Sequence, residues 1–372
     1  MKLLKLFVAL MPLSFLLSAL EANAVIDPNA SVVKVRTSCQ EGSATLDNCF
    51  TSFADLQNWI TTRNPSDASP LLIEVGPGSF GSFSCNHAGI SLRGAGADKT
   101  RLGNNSFYAI AGNLGCSNLN VEAVNADPFT GMGITWMSNG NSTWTNVTVR
   151  GQPGWIGSRG GQAAGCGIHR FRASRIIGIG SSATAYEDDC GEHWFIGSEI
   201  SAGSNAGITG LRVGLMAKGG KYNVYGSNIS AIGSANCGNN CNGGIRVVAV
   251  SVTGGSHVHI HGTGIDAIGS GPYDVAGIWA DDNSEIHANQ SAYNLVAAAG
   301  QTRYRIKDDG TIHFHAPYLW EQHQTPPAGV VSVTGADMAV ATDAPDGQPH
   351  LLIYNANCSS KWYDTVTGAC RP

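Results

Sequence analysis

Charge is scarce in this chain. Of 372 residues only 13% are Asp, Glu, Lys or Arg, and 22 basic against 27 acidic residues leave a formal net charge of −5. No run of Lys and Arg breaks that balance, so the basic footprint of a nucleic-acid binder is missing. Beyond residue 20 no apolar stretch approaches the roughly 20 residues that span a bilayer, which argues against membrane insertion by a helix. What the chain has instead is glycine, 48 residues of it. Low charge with high glycine suits a turn-rich all-β fold better than a helical one.

The organising stretch is a sentence written twice. Cys166-Gly167-Ile168-His169-Arg170-Phe171-Arg172-Ala173-Ser174-Arg175-Ile176 returns 24 residues later as Cys190-Gly191-Glu192-His193-Trp194-Phe195-Ile196-Gly197-Ser198-Glu199-Ile200, with Cys, Gly, His, Phe, Ser and Ile in register. A period in the twenties with alternating side chains is the signature of a solenoid of short parallel strands. Adjacent coils then lie about 4.8 Å apart. Two cysteines at one register fall within the roughly 4.4–6.8 Å Cα separation that a disulfide needs, which predicts Cys166–Cys190.

Lys2 and Lys5 precede an apolar run from Leu6 to Leu20, and Ala22-Asn23-Ala24 supplies small residues for cleavage. Residues 1–24 thus read as a secretory signal, and the product as exported, to the periplasm or the medium. All ten cysteines follow that segment, and their even number favours disulfides over metal thiolates. Proximity in the chain adds Cys39–Cys49, Cys85–Cys116, Cys237–Cys241 and Cys358–Cys370 as neighbour pairings.

Thr51-Ser52-Phe53-Ala54-Asp55-Leu56-Gln57-Asn58-Trp59-Ile60 has a hydroxyl cap and apolar residues at helical spacing. A short helix here would cover the open first coil, whose bare edge invites aggregation. Leu71-Leu72-Ile73-Glu74-Val75 ends in a Gly76-Pro77-Gly78 turn, and Ile90-Ser91-Leu92-Arg93-Gly94-Ala95-Gly96 follows. In these segments the chain resembles the pectin-lyase-like family over roughly residues 50–315, which implies a right-handed parallel β-helix. The expected organisation is a signal peptide at 1–24, an N-terminal cap region at 25–70, the β-helix at 71–315 and a C-terminal cap at 316–372 closed by Cys358–Cys370.

An apolar anchor recurs at Ile90, Leu119, Val147, Ile176, Ile200, Ile229, Ile265 and Tyr293, at gaps of 24 to 36 residues that imply one variable loop per coil. Five residues before the later anchors stand Phe171, Phe195, Val224 and Ile260, expected to pile into one interior column. A further strand type begins at Tyr186, Leu211, Ile245 and Ile278. If these point inward, period two sends Glu187, Arg212, Arg246 and Trp279 outward as neighbours, with Asp189 and Asp281 two residues beyond Glu187 and Trp279.

That row is the candidate site. Arginines would clamp a sugar carboxylate, Arg212 or Arg246 would serve as a lyase base, and Trp279, Trp194 and Asp281 would hold the sugar. Glu187-Asp188-Asp189-Cys190 resembles the Asp-Asp-Cys segment of polygalacturonase-type glycosidases, which implies a general acid there. These carboxylates would otherwise act as cation ligands, calcium being the cofactor they would accept. The chain lacks that family's Asn-Thr-Asp and Gly-His-Gly segments, the Asp-Phe-Ile-Phe-Gly of pectin methylesterases and the Arg-x-Pro-x-x-Arg of pectate lyases, so the fold does not carry its usual chemistry across.

His257-Val258-His259-Ile260-His261 puts three imidazoles on one strand face, and His313-Phe314-His315 repeats the theme. Two could ligate zinc, but no third ligand is identified, and a polar outer face is the simpler expectation. His169 and His193 share parity with Phe171 and Phe195 and are expected in the core. The function expected is an exported protein acting on or binding polysaccharide, as a lyase, a glycosidase or a binder. The competing class is a non-catalytic solenoid such as an adhesin or surface component.

Overall fold

The computed structural model describes residues 29–308, except 42–43, 105, 129–130, 137–139, 152–157, 160–165, 180–182, 204–210, 235–243, 281–283 and 290, and five short strands between 330 and 370. The expected signal segment and the pairings Cys237–Cys241 and Cys358–Cys370 lie outside the described residues.

Period-two strands with one apolar face can bury that face only by stacking into sheets that enclose a common interior. Here three parallel sheets of 11, 9 and 9 strands do so, the chain visiting first, second and third sheet in turn and then repeating one coil further on. The fold is a parallel β-helix. In its first sheet Phe171 pairs with Phe195, Phe195 with Val224 and Val224 with Ile260, the column expected from the repeat. Trp144 extends it, stacked on Phe171 at 5.8 Å and 11°, and Phe171 lies on Phe195 at 5.3 Å and 9°. Such offset pairs contribute about 0.5–1.5 kcal/mol beyond their burial.

The anchors need a partial correction. Ile176, Ile200, Ile229, Ile265 and Tyr293 form one column in the second sheet. Ile90 and Leu119 belong instead to the first sheet, and Val147 sits in the turn before the strand Thr148–Gly151. An apolar residue at the right distance could join either sheet, and loop lengths in the early coils differ enough to hide which.

From the coil of Leu119–Glu122 to that of His257–His261, the passage from first to second sheet uses one residue in the left-handed region: Ala123, Asn146, Ala173, Gly197, Gly226 and Gly262, with φ between 47° and 56°. The N–H of Ala173 bonds the Ile196 carbonyl of the next coil, and Gly197 N–H that of Tyr225. Immediately after, Ser174, Ser198, Ser227 and Thr263 are buried. Ser198 Oγ accepts the N–H of Ser174 at 3.3 Å and donates to the Ile196 carbonyl at 3.2 Å, while Ser227 Oγ repeats this for Ser198 N–H and Tyr225 O. A hydroxyl, with one proton and two lone pairs, satisfies the donors that a turning backbone strands.

Ser52 caps the helix Phe53–Arg63 by accepting from Asp55 N–H, and the helix ends at Asn64. Phe53 packs on Phe80 and Phe83 of the first coil, and Gln57 Nε2 donates to Ser84 O at 2.6 Å. Disulfides join Cys39–Cys49, Cys85–Cys116 and Cys166–Cys190, the last with Cα atoms 5.1 Å apart. In the C-terminal region the strands from Val330–Ser332 to Ala369–Cys370 form an antiparallel sheet.

Candidate functional site

The third sheet does not build the expected row. Tyr186 pairs with Leu215, Leu215 with Val250 and Val250 with Ile278, so the column that begins at Tyr186 runs through residues four and five positions later than Leu211 and Ile245. Glu187 therefore shares its outward row with Met216, Ser251, Trp279 and Lys307, not with Arg212 and Arg246. Arg212 pairs with Val247 and is fully buried, donating from Nη1 to Ile232 O at 2.6 Å. Burial lowers its pKa from the usual guanidinium value, opposed by nearby Tyr273. Arg246 falls at an irregularity of register between Ile245 and Val247.

The reason is a bend in these strands. The consecutive residues Ala249 and Val250 both join the main core, whereas Val248 joins Val213 and Ala276 in a separate outer cluster against which Leu211, Ile245, Met216 and Trp279 pack. One break in period two reverses the direction of everything before it. Glu187 is buried in an ion pair with Lys218, Asp189 is exposed, and Asp281 lies outside the described residues.

Asp188 faces the interior. Its Oδ1 accepts the N–H of Asp189 at 2.7 Å and of Cys190 at 3.3 Å, while Oδ2 has no hydrogen-bond partner among the described residues. Burial pushes its pKa up to about 7, against the lowering effect of those two N–H groups. His193, also buried, bonds the Cys190 carbonyl through Nε2 at 2.8 Å and the Tyr186 hydroxyl through Nδ1 at 2.8 Å. A carbonyl only accepts, so Nε2 carries the proton and Nδ1 receives that of Tyr186. His193 stacks between His169 at 5.5 Å and Tyr222 at 4.5 Å. Burial lowers His193 to about 4, and burial with the neighbouring His193 lowers His169 to about 3. These are core groups, as their parity with Phe171 and Phe195 predicted.

The outer face of the first sheet gathers the polar and aromatic side chains that the third sheet does not. Three rows run along the coils from the strand Ile168–Arg172 to the strand Glu285–Asn289. They are Ile168, Glu192, Lys221, His257, Glu285; Arg170, Trp194, Asn223, His259, His287; and Arg172, Ile196, Tyr225, His261. Trp194 lies on Tyr225 at 6.0 Å and 15°, Tyr225 on His261 at 5.0 Å and 3°, and His259 on His287 at 4.5 Å and 2°. Glu192 accepts from Trp194 Nε1 at 2.7 Å, and Glu285 bonds His257 at 2.7 Å and His287 at 2.6 Å.

The histidine strand lies on an outer face, as its alternation implied, but its sequence did not reveal that it forms one face with Arg170, Trp194, Tyr225 and His287. Adding one coil to each outward position, Trp194 to Asn223 and Ile196 to Tyr225, was the available signal. Among the described residues no group of three or more His, Cys, Asp or Glu side chains is arranged to hold a metal ion. A cavity of about 460 Å³ between the helix and the first coil is lined by Ser52, Phe53, Gln57, Phe80 and other groups without a titratable side chain, so it offers no acid or base.

No family model matches the chain, nor does any curated protein match it in sequence. Among solved structures it is similar to a pectin methylesterase from Erwinia chrysanthemi, at 10% identity and TM-score 0.42 over 70% of this chain and 89% of that one. It is also similar to ORF18 of Geobacillus virus E2, at 10% identity and TM-score 0.45 over 89% of this chain and 75% of that one. The A-module of a mannuronan C-5 epimerase from Azotobacter vinelandii shows 11% identity and TM-score 0.24 over 67% of this chain and 91% of that one. By the coil order and register of its own three sheets, the chain is a parallel β-helix.

Proposed function

We propose that this chain is an exported polysaccharide-binding β-helix whose docking surface is the outer face of the first sheet between Ile168–Arg172 and Glu285–Asn289. The observation that carries the reading is the ladder of rings from Trp194 through Tyr225 and His261, flanked by Arg170, Arg172, Lys221 and Glu192. Stacked rings turn their edges to solvent, so each coil offers polar ring atoms to a chain lying along the axis. The coil spacing of about 4.8 Å is close to the advance of one sugar in an extended glycan, so successive sugars meet equivalent groups. Export is supported by the disulfides, which persist in oxidising compartments.

Binding without turnover is the better-supported form. Of the acids and clamps inferred from the sequence, Asp188 and Arg212 are buried, Glu187 is held by Lys218, Arg246 falls at an irregularity of register, and Asp189 alone is exposed, so they do not converge on one surface. The deciding experiment immobilises pectate, alginate and neutral glycans, measures retention of the protein, and in parallel follows unsaturated products and reducing ends. Retention reduced by Trp194→Ala and Tyr225→Ala, with no product, supports the binder. Product formation abolished by Glu187→Gln or Arg246→Ala would replace it with an enzyme of the third sheet. Absence of both retention and product would leave the adhesin-like solenoid.

A further inference from the structure

Four histidines crowd one end of this face. His257, His259 and His261 alternate along one strand with the buried Val258 and Ile260 between them, and His287 follows one coil on. The rings of His259 and His287 are nearly coplanar in direction and 4.5 Å apart, and His259 and His261 are 6.5 Å apart. Of the strands packed on either side, Lys221–Tyr225 brings Lys221 and no carboxylate, and Glu285–Asn289 brings Glu285, which bonds His257 and His287. Further along the face stand Arg170, Arg172 and Glu192, and the next acidic residue, Asp266, lies beyond the turn at Gly262 on the second sheet.

Near neutral pH the fixed charges are Arg170, Arg172 and Lys221 against Glu192 and Glu285, close to balance. Imidazole is the side chain whose ordinary pKa, about 6.5, lies just below that range. Acidification therefore adds positive charge here and almost nowhere else on the face. Protons on rings this close repel one another, and burial together with His287 and His261 already holds His259 below the usual imidazole value. A row of anions along the ring edges relieves that repulsion. By linkage, anion binding then draws protons onto the histidines, and protonation tightens the anion.

We infer that the histidine cluster makes this face a pH-gated site for a polysaccharide bearing an anionic group on successive sugars, taken up under mildly acidic conditions and released near neutrality. The inference rests on the glycan-binding reading above, and adds its regulation. The shared chemistry is a repeated anion, carboxylate or sulfate.

The test measures binding of the full exported chain to polygalacturonate, dextran sulfate and uncharged dextran at about pH 5.5 and about pH 7.5, either side of the imidazole value. The expected result is affinity for at least one charged polymer about tenfold higher at the lower pH, a change of about 1.4 kcal/mol. His259→Gln with His287→Gln should reduce the ratio of the two affinities, whereas Trp194→Ala should weaken binding at both pH values and leave that ratio in place. A response to only one charged polymer supports the gate and names the group. Equal affinity at both pH values overturns the gate and leaves the glycan reading standing. A matching rise for uncharged dextran overturns the charge basis, and retention of none of the polymers overturns both readings.

Discussion

Nε2 of His193 stands 3.5 Å from Oδ2 of Asp188, with both side chains fully buried. The pair is neutral on both sides near pH 5 to 6, because burial raises the carboxyl to about 7 and lowers the imidazole to about 4. Nε2 spends its proton on the Cys190 carbonyl, so the acid gains little from its neighbour.

The two groups drive stability in opposite directions. Asp188 has a folded pKa above its unfolded one, so its contribution is complete below the ordinary carboxylate value and is lost as pH rises through about 7. His193 and His169, lowered to about 4 and about 3, contribute fully above the ordinary imidazole value and lose it as pH falls toward those values. Over the range where they overlap the two histidines oppose the acid, so the comparison that isolates Asp188 is between wild type and Asp188→Asn, which share both histidines. In thermal unfolding followed by circular dichroism, the melting temperature of Asp188→Asn minus that of the wild type should rise between about pH 4 and pH 7 and level off above. A difference that stays constant over that range would contradict a buried neutral carboxyl.

Phe195 is the centre of the interior stack, between Phe171 and Val224. Phe195→Ala should cost about 3–5 kcal/mol, as a large cavity that parallel strands cannot collapse around. Denaturant melts would measure it, and a loss below about 1 kcal/mol would mean that the column is loosely packed.

Ala173 holds φ 47°, where the neighbouring coil has Gly197 at 56° and the next Gly226 at 54°. A Cβ in this region costs about 1–2 kcal/mol, offset in part by the greater freedom of glycine in the unfolded chain. Ala173→Gly should therefore stabilise by up to about 1 kcal/mol, and Gly226→Ala should destabilise by a similar amount. Equal melting temperatures for all three proteins would argue against the shared left-handed turn.

Buried Ser198 Oγ receives Ser174 N–H and donates to the carbonyls of Phe171 and Ile196. Ser198→Ala should cost about 1–3 kcal/mol by stranding a buried donor. Faster amide exchange confined to Ser174 and its turn would identify the lost bond as the cause.

The interior was legible in the chain where two adjacent coils have written nearly the same residues. Cys166 with Cys190, His169 with His193 and Phe171 with Phe195 follow from one offset of 24, since identical side chains at one register stack directly on one another. The helix at Phe53 was equally readable from its cap and spacing. The outer rows of the third sheet were not. Leu211 to Met216 and Ile245 to Val252 are almost continuously apolar, so they carry no alternation from which to count, and each follows a variable loop. Only the folded strands decide that Ala249 and Val250 both turn inward, and with them that Arg212 is buried and Glu187 faces Met216. Local sequence determines which residues want the core. Hydrogen-bonded register between coils, a property of the whole stack, decides which of the remaining ones meet on the surface.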